Sequence, residues 1–210
     1  MGSAFARKLA ITLMLAAITG AGGTLWAAEP AHAIFAGGCF WCVEAAFDAV
    51  PGVIATNPGY TGGAIPNPTY EQVSTGGTGH AEAVEVRYDP ESTSYRQLLA
   101  VFWHNIDPHD AGGQFCDRGD QYRSAIFAVD ADQRRLAEES LRTLANSGLL
   151  SAPIATKITD AGPFYAAEEY HRDYHLKNPA RYKFYRWNCG RDQRLNAVWG
   201  KIGKLPFEVN

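Results

Sequence analysis

Residues 33–50 constrain this chain more than any other stretch. A short apolar run, Ala33-Ile34-Phe35-Ala36-Gly37-Gly38, leads into Cys39-Phe40-Trp41-Cys42. The segment that follows, Val43-Glu44-Ala45-Ala46-Phe47-Asp48-Ala49-Val50, reads as a helix. Cys39 therefore belongs at a strand-to-helix junction, where free backbone N–H groups and the helix dipole favour a thiolate. Cys42, three residues on, shares its helical face, and that spacing allows a local disulfide with little backbone movement. A zinc site would need two further ligands in a close pair. Cys116 and Cys189 are instead isolated in sequence. A structural Cys39–Cys42 staple in an otherwise inert binding module is the bland alternative. Tight Cys-x-x-Cys loops are more often redox-active.

Composition sets the class. The 210 residues suit one well-filled domain. A net charge of −3 argues against a general polyanion binder. Arg7-Lys8 followed by an apolar, Gly-interrupted stretch to about Ala28 describes a signal peptide over residues 1–28, with an uncleaved anchor as its rival. The domain is then residues 29–210, expected outside the cytoplasm, periplasmic or secreted, where disulfides persist.

Along that domain, residues 51–60 read as a turn and strand, and residues 61–70 as a Gly- and Pro-rich loop carrying function. Ala81–Tyr88 alternates as a half-buried strand. Ser94 is placed to cap a helix through Phe102, and residues 104–119 form a polar loop. Tyr122–Val129 reads as a strand, Ala131 to about Ser147 as an amphipathic helix, and Ile154–Ile158 as a strand. Beyond Glu168 the chain is dense in Tyr, His and Arg and is expected to end irregularly. This order predicts a single-domain, two-layer α+β sandwich of split βαβ type with long surface loops. His171-x-x-x-His175 has metal-pair spacing but lacks the zincin glutamate, so packing or solvated histidines are the better reading. The Lys, Arg and aromatic residues of 177–194 read as a packed segment rather than a nucleic-acid platform, given the acidic whole.

Gly38-Cys39-Phe40-Trp41-Cys42 resembles the active-site signature of the peptide-methionine (S)-S-oxide reductases, the A-type methionine sulfoxide reductases. Gly59-Tyr60-Thr61-Gly62-Gly63, Pro66-Asn67-Pro68-Thr69-Tyr70, Thr78-Gly79-His80-Ala81-Glu82-Ala83-Val84 and Asp120-Gln121-Tyr122-Arg123-Ser124-Ala125 resemble the same family, in the same order. The similarity spans roughly residues 33 to 190 and implies an α+β fold with a ferredoxin-like core. It implies Cys39 as the nucleophile that ends as a sulfenic acid, and Glu82 as the acid that protonates the sulfoxide oxygen. On burial habits alone, Glu82 would read as a solvent-facing strand residue. The resemblance further implies Tyr70 and Tyr122 as hydrogen-bond donors to that oxygen, Phe40 and Trp41 as a wall around the substrate methyl, and Asp117 near the attacking cysteine. No cofactor or metal is implied. The substrate is the S epimer of methionine sulfoxide, free or in proteins, and the reductant a thioredoxin-like dithiol protein. The enzyme is expected to act as a monomer.

Many relatives have Gly where Cys42 stands and resolve the sulfenic acid with a cysteine near the C-terminus. Two resolving candidates therefore stay open: Cys42, whose short loop closure is entropically cheaper, and Cys189, on a segment that a loop could deliver. Cys116 beside Asp117 reads equally well as a small buried thiol. A thiol–disulfide oxidoreductase acting on protein disulfides is the alternative enzyme class.

Overall fold

The structure is a computed structural model that describes residues 29–209. The expected signal segment, residues 1–28, lies outside the described residues. Among those described, no helix is long and apolar enough to cross a membrane.

The chain runs β1 (Ala31–Gly37), α1 (Phe40–Asp48), β2 (Val53–Thr61), a short α2 (Tyr70–Ser74), β3 (Ala81–Tyr88) and α3 (Tyr95–His104). A small hairpin, β4 (Gly113–Gln114) with β5 (Asp117–Arg118), precedes β6 (Ser124–Ala128), α4 (Ala131–Asn146), β7 (Lys157–Asp160) and β8 (Tyr165–Ala166). The last helices are α5 (Tyr174–Lys177), α6 (Pro179–Asn188) and α7 (Arg191–Trp199). Six strands form one sheet in the order β7-β6-β1-β3-β2-β8. Its centre, β6-β1-β3-β2, is antiparallel throughout and is linked by α1 and α3, the split βαβ pattern expected of a ferredoxin-like core.

Alternation on the central strands separates the two faces. Phe35, Val84 and Val86 join Phe47, Leu98, Phe102 and Trp103 in the main core under the helices. Ile34, Ala36, Ala81, Ala83, Ala125 and Phe127 form a smaller cluster on the opposite face. Phe35 stacks on Phe47 and Phe102 at centroid distances of 4.9 and 5.3 Å, which locks β1 to both crossover helices. The expected Ser94 cap forms: Ser94 and Gln97 make a reciprocal capping box on α3. Asp130 also accepts from the Gln133 N–H at the start of α4.

Several expectations change. The strand expected over residues 122–129 is confined to Ser124–Ala128, and the loop of 104–119 holds the β4–β5 hairpin. The 154–158 strand begins later, at Lys157, and pairs parallel to β6. The tail is helical rather than irregular. Pro179 opens α6, Gly190 turns the chain in the left-handed region at φ +69°, and Trp199, Leu205 and Phe207 end in the main core. The tail therefore packs back across the β1–α1 junction.

Candidate active site

The site is built on the turn that carries β1 into α1. Gly38 takes φ +84°, and a Cβ there would lie 2.7 Å from the Gln114 Cβ, so only glycine fits both the turn and the contact. Cys39 is the N-cap of α1 and is only 6% exposed. Beneath it, the alternation of β3 turns Glu82 to the helix-covered face, opposite Tyr60 on β2. Glu82 is 2% exposed, and its Oε2 accepts the Phe40 backbone N–H at 3.1 Å. Burial, opposed by that hydrogen bond, raises the Glu82 carboxyl from 4.5 to about 8. It is a neutral acid at neutral pH.

The thiols depart from the sequence expectation. Burial pushes the Cys39 thiol well up, with further contributions from Cys42, Glu82 and Asp117. Cys42 goes the other way, to about 6, because it accepts a hydrogen bond from Cys39; Arg191, Arg186 and Tyr182 also favour its anion. The helix start does hold Cys39, yet desolvation and two carboxyls outweigh the helix dipole there. The pair thus rests with the proton on Cys39 and the charge toward Cys42.

Around the pair stand the remaining residues named from sequence. The capping box of Thr69 and Gln72 starts α2 at Tyr70, within the stretch expected to be a loop. Tyr122 ends a 3-10 turn spanning Asp120–Tyr122. Burial, then the charge of Glu82, raises Tyr70 to about 12 and Tyr122 further, so both hydroxyls remain protonated donors. Cys39 and Asp117 act on both as well, which places these groups about one pocket. Asp117, on β5, accepts the Tyr185 hydroxyl at 2.5 Å and a hydrogen bond from the Cys39 backbone. Phe40 and Trp41 wall the pocket through His171. The Trp41 Nε1–H donates to His171 Nδ1 at 3.1 Å, and Phe40 lies 4.9 Å from that ring.

A family model for peptide methionine sulfoxide reductase matches residues 31–202. The chain belongs to the peptide methionine sulfoxide reductase family. It is 54% identical to the peptide methionine sulfoxide reductase MsrA of Bacillus licheniformis, over 80% of this chain and 93% of that one. To MsrA 2 of Caulobacter vibrioides it is 50% identical over 90% of this chain and 97% of that one. Among solved structures, methionine sulfoxide reductase A of Corynebacterium diphtheriae superposes with a TM-score of 0.63 at 36% identity, covering 71% of this chain and 76% of that one. As a peptide methionine sulfoxide reductase the protein is an oxidoreductase, and the α+β fold is that of its structural relatives.

One cysteine reading is corrected in this reductase. Cys116 is exposed and bonded to Cys189, so it is not a small buried thiol. Cys189 is the C-cap of α6 and lies beside the site without any loop movement, its sulfur 3.9 Å from Asp117 Oδ2. Cys39 and Cys42 are free.

Several residues of the reductase site escaped the sequence reading. Glu168 accepts from the Tyr60 hydroxyl and the Tyr70 N–H, both at 2.8 Å, and so fixes the pocket's rim. Burial lowers His171 below its usual value and keeps it neutral. His171 and His175 do not converge: His171 serves Trp41, whereas His175 lies 3.7 Å from Glu44 and 3.4 Å from Asp48. Arg191 is buried, donates to the Gly37 and Asn105 carbonyls at 3.1 and 2.7 Å, and covers the Phe115 ring. It clamps α7 onto the β1–α1 turn. The only signal for this group was the run of Tyr, His and Arg beyond residue 168.

Proposed function

We propose that the enzyme reduces the S epimer of methionine sulfoxide, free or in polypeptides, outside the cytoplasm. Cys39 is the nucleophile, Cys42 the resolving thiol, and a thioredoxin-like dithiol protein the reductant. One observation carries the reading: a buried, neutral Glu82 carboxyl lies under the N-terminus of the helix capped by Cys39.

In the first step the Cys39 sulfur attacks the sulfoxide sulfur while Cys42 takes its proton. Glu82, helped by the Tyr70 and Tyr122 hydroxyls, protonates the departing oxygen. Oxygen passes from substrate to enzyme, leaving methionine and the Cys39 sulfenic acid. The substrate methyl rests on Phe40 and Trp41, where sulfur–aromatic contact is mildly favourable. Because the methyl and the oxygen face opposite walls of a chiral pocket, only one epimer presents its sulfur to Cys39. In the second step the Cys42 sulfur displaces the sulfenic oxygen as water, forming a Cys39–Cys42 disulfide. The dithiol donor then reduces that bond by exchange and is itself oxidised. Cys42 is favoured over Cys189 because it is a free thiol on the first turn of the same helix, whereas Cys189 is already bonded to Cys116. The N-terminal sequence, a basic start before an apolar stretch, supports export.

Incubation with racemic methionine sulfoxide tests both claims. The native enzyme is expected to stop at half consumption with only the R epimer left, and Cys39→Ser to release no methionine. Complete consumption of the racemate would remove the epimer assignment, and turnover by Cys39→Ser would remove the nucleophile.

A further inference from the structure

The outer side of the Trp41 wall opens onto a surface groove of about 540 Å³ whose lining is mostly apolar. Trp41, Tyr174, Ala180, Phe184 and Tyr185 line it, with Arg181 and Asn188 as its polar members. Tyr174 stacks flat on Trp41 at 3.8 Å, and Tyr185 meets Trp41 edge-on at 5.7 Å. The groove adjoins the catalytic pocket and shares these rings with it. Trp41 donates inward to His171, and the Tyr185 hydroxyl reaches Asp117 beside Cys39.

The groove's outer lip is apolar at a cost. Phe184 is 65% exposed and Trp187, 6.0 Å from it, is 68% exposed. Large apolar side chains concentrated on one surface mark a binding site rather than chance exposure. Neither Phe184 nor Trp187 touches the reacting groups, so the chemistry at Cys39 does not explain them.

We propose that this groove is a subsite for the substrate polypeptide and receives an apolar side chain two residues from the methionine sulfoxide. The inference rests on the proposed function of the Cys39 pocket. Its occupant follows from that adjacency: a peptide whose sulfoxide side chain enters beside Trp41 must run over the surface adjoining that ring. In an extended chain, side chains two residues apart point the same way, about 6.6–7 Å apart. A side chain two residues from the sulfoxide therefore lies on the same side of the peptide, toward the groove that shares Trp41 with the pocket. Apolar neighbours become available where a protein is unfolded, so the subsite would direct the enzyme to methionine sulfoxide in unfolded segments rather than to the free amino acid.

The test uses blocked pentapeptides, Leu-Gly-Met(O)-Gly-Leu and Gln-Gly-Met(O)-Gly-Gln, alongside free methionine sulfoxide, all with dithiothreitol as reductant. The leucine peptide is expected to have a kcat/KM about tenfold above the glutamine peptide, chiefly through KM. Phe184→Ser and Ala180→Asp should each erase that preference and leave free methionine sulfoxide turnover unchanged. Equal kcat/KM for the two peptides in the native enzyme would overturn the proposal. So would a preference that survives both variants, or an equal fall on every substrate. An effect seen only with a protein dithiol donor would assign the groove to the reductant and overturn it too. Absence of turnover on all three substrates by the native enzyme would overturn the reading of the Cys39 pocket and take the subsite with it.

Discussion

Glu82→Gln is the sharpest probe of the site. The carboxyl is raised from 4.5 to about 8 by burial. At pH 7 an acid of pKa about 8 is about nine-tenths protonated, whereas one at 4.5 would be only about 0.3% protonated. The environment thus enlarges the acid form by about 300-fold. Glutamine keeps the volume and a hydrogen bond but has no proton to give, so the first step should slow by about 10²- to 10⁴-fold. Single-turnover release of methionine by the pre-reduced enzyme isolates that step from the reductant. Measured from about pH 5 to about pH 10, the native rate should be bell-shaped. It rises through about 6 as Cys42 ionises and falls through about 8 as Glu82 ionises. In the variant the alkaline fall should vanish and the acid rise remain. Stability moves the opposite way. Between 4.5 and about 8 the folded protein holds a proton that the unfolded chain has released, so unfolding becomes easier as pH rises through that window. The native enzyme loses at most about 5 kcal/mol there, and Glu82→Gln should be the more stable protein at pH 9 by a few kcal/mol. A variant that keeps more than about a tenth of the native rate, with its alkaline fall intact, would refute Glu82 as the acid.

Cys42→Ser should release one methionine per enzyme, more slowly than the native protein and without the acid limb that Cys42 sets, and then stop with Cys39 as a sulfenic acid that a dimedone label detects by mass spectrometry. Repeated turnover at the native rate with a protein dithiol donor would argue against Cys42 as resolver. Cys189→Ser should leave that first methionine unaffected but lower stability in chemical denaturation by up to about 4 kcal/mol, since the bond joins residues 73 apart. Arg191→Met removes a cation that favours the Cys42 anion, so the acid limb of the rate profile should move to higher pH. It should also destabilise the fold by several kcal/mol, because the Gly37 and Asn105 carbonyls lose a buried charged donor.

The core of this fold was legible because its signals are local. The alternation of residues 81–88 gave β3 its bounds, the Ser94 cap gave α3 its start, and the amphipathic pattern from Ala131 gave α4. The strand-to-helix turn at Cys39 was readable for the same reason: glycine, an apolar run and a helical segment sit within a few residues. The charge state of the pair was not. A helix N-terminus favours a thiolate by an amount set locally, whereas the opposing desolvation depends on Glu82, 43 residues away in sequence, and on Asp117. Tyr70, Tyr122 and Asp117 have no periodic signature, and only the resemblance pointed to them.

What escaped was the tail, and the reason is physical. None of the α6 side chains is buried, so the helix lacks the apolar stripe by which a helix is read from sequence. Its ordering comes instead from single side chains that reach across to the site. Tyr185 bonds Asp117, Tyr182 and Arg186 face Cys42, and Cys189 bonds Cys116. The dependence runs both ways, since those same groups hold down the Cys42 thiol and complete the Trp41 wall. A helix held mainly by the pocket that it closes has no reason to show itself in the pattern of its own sequence. It does show in composition, as the Tyr- and Arg-rich run that packing alone would not require.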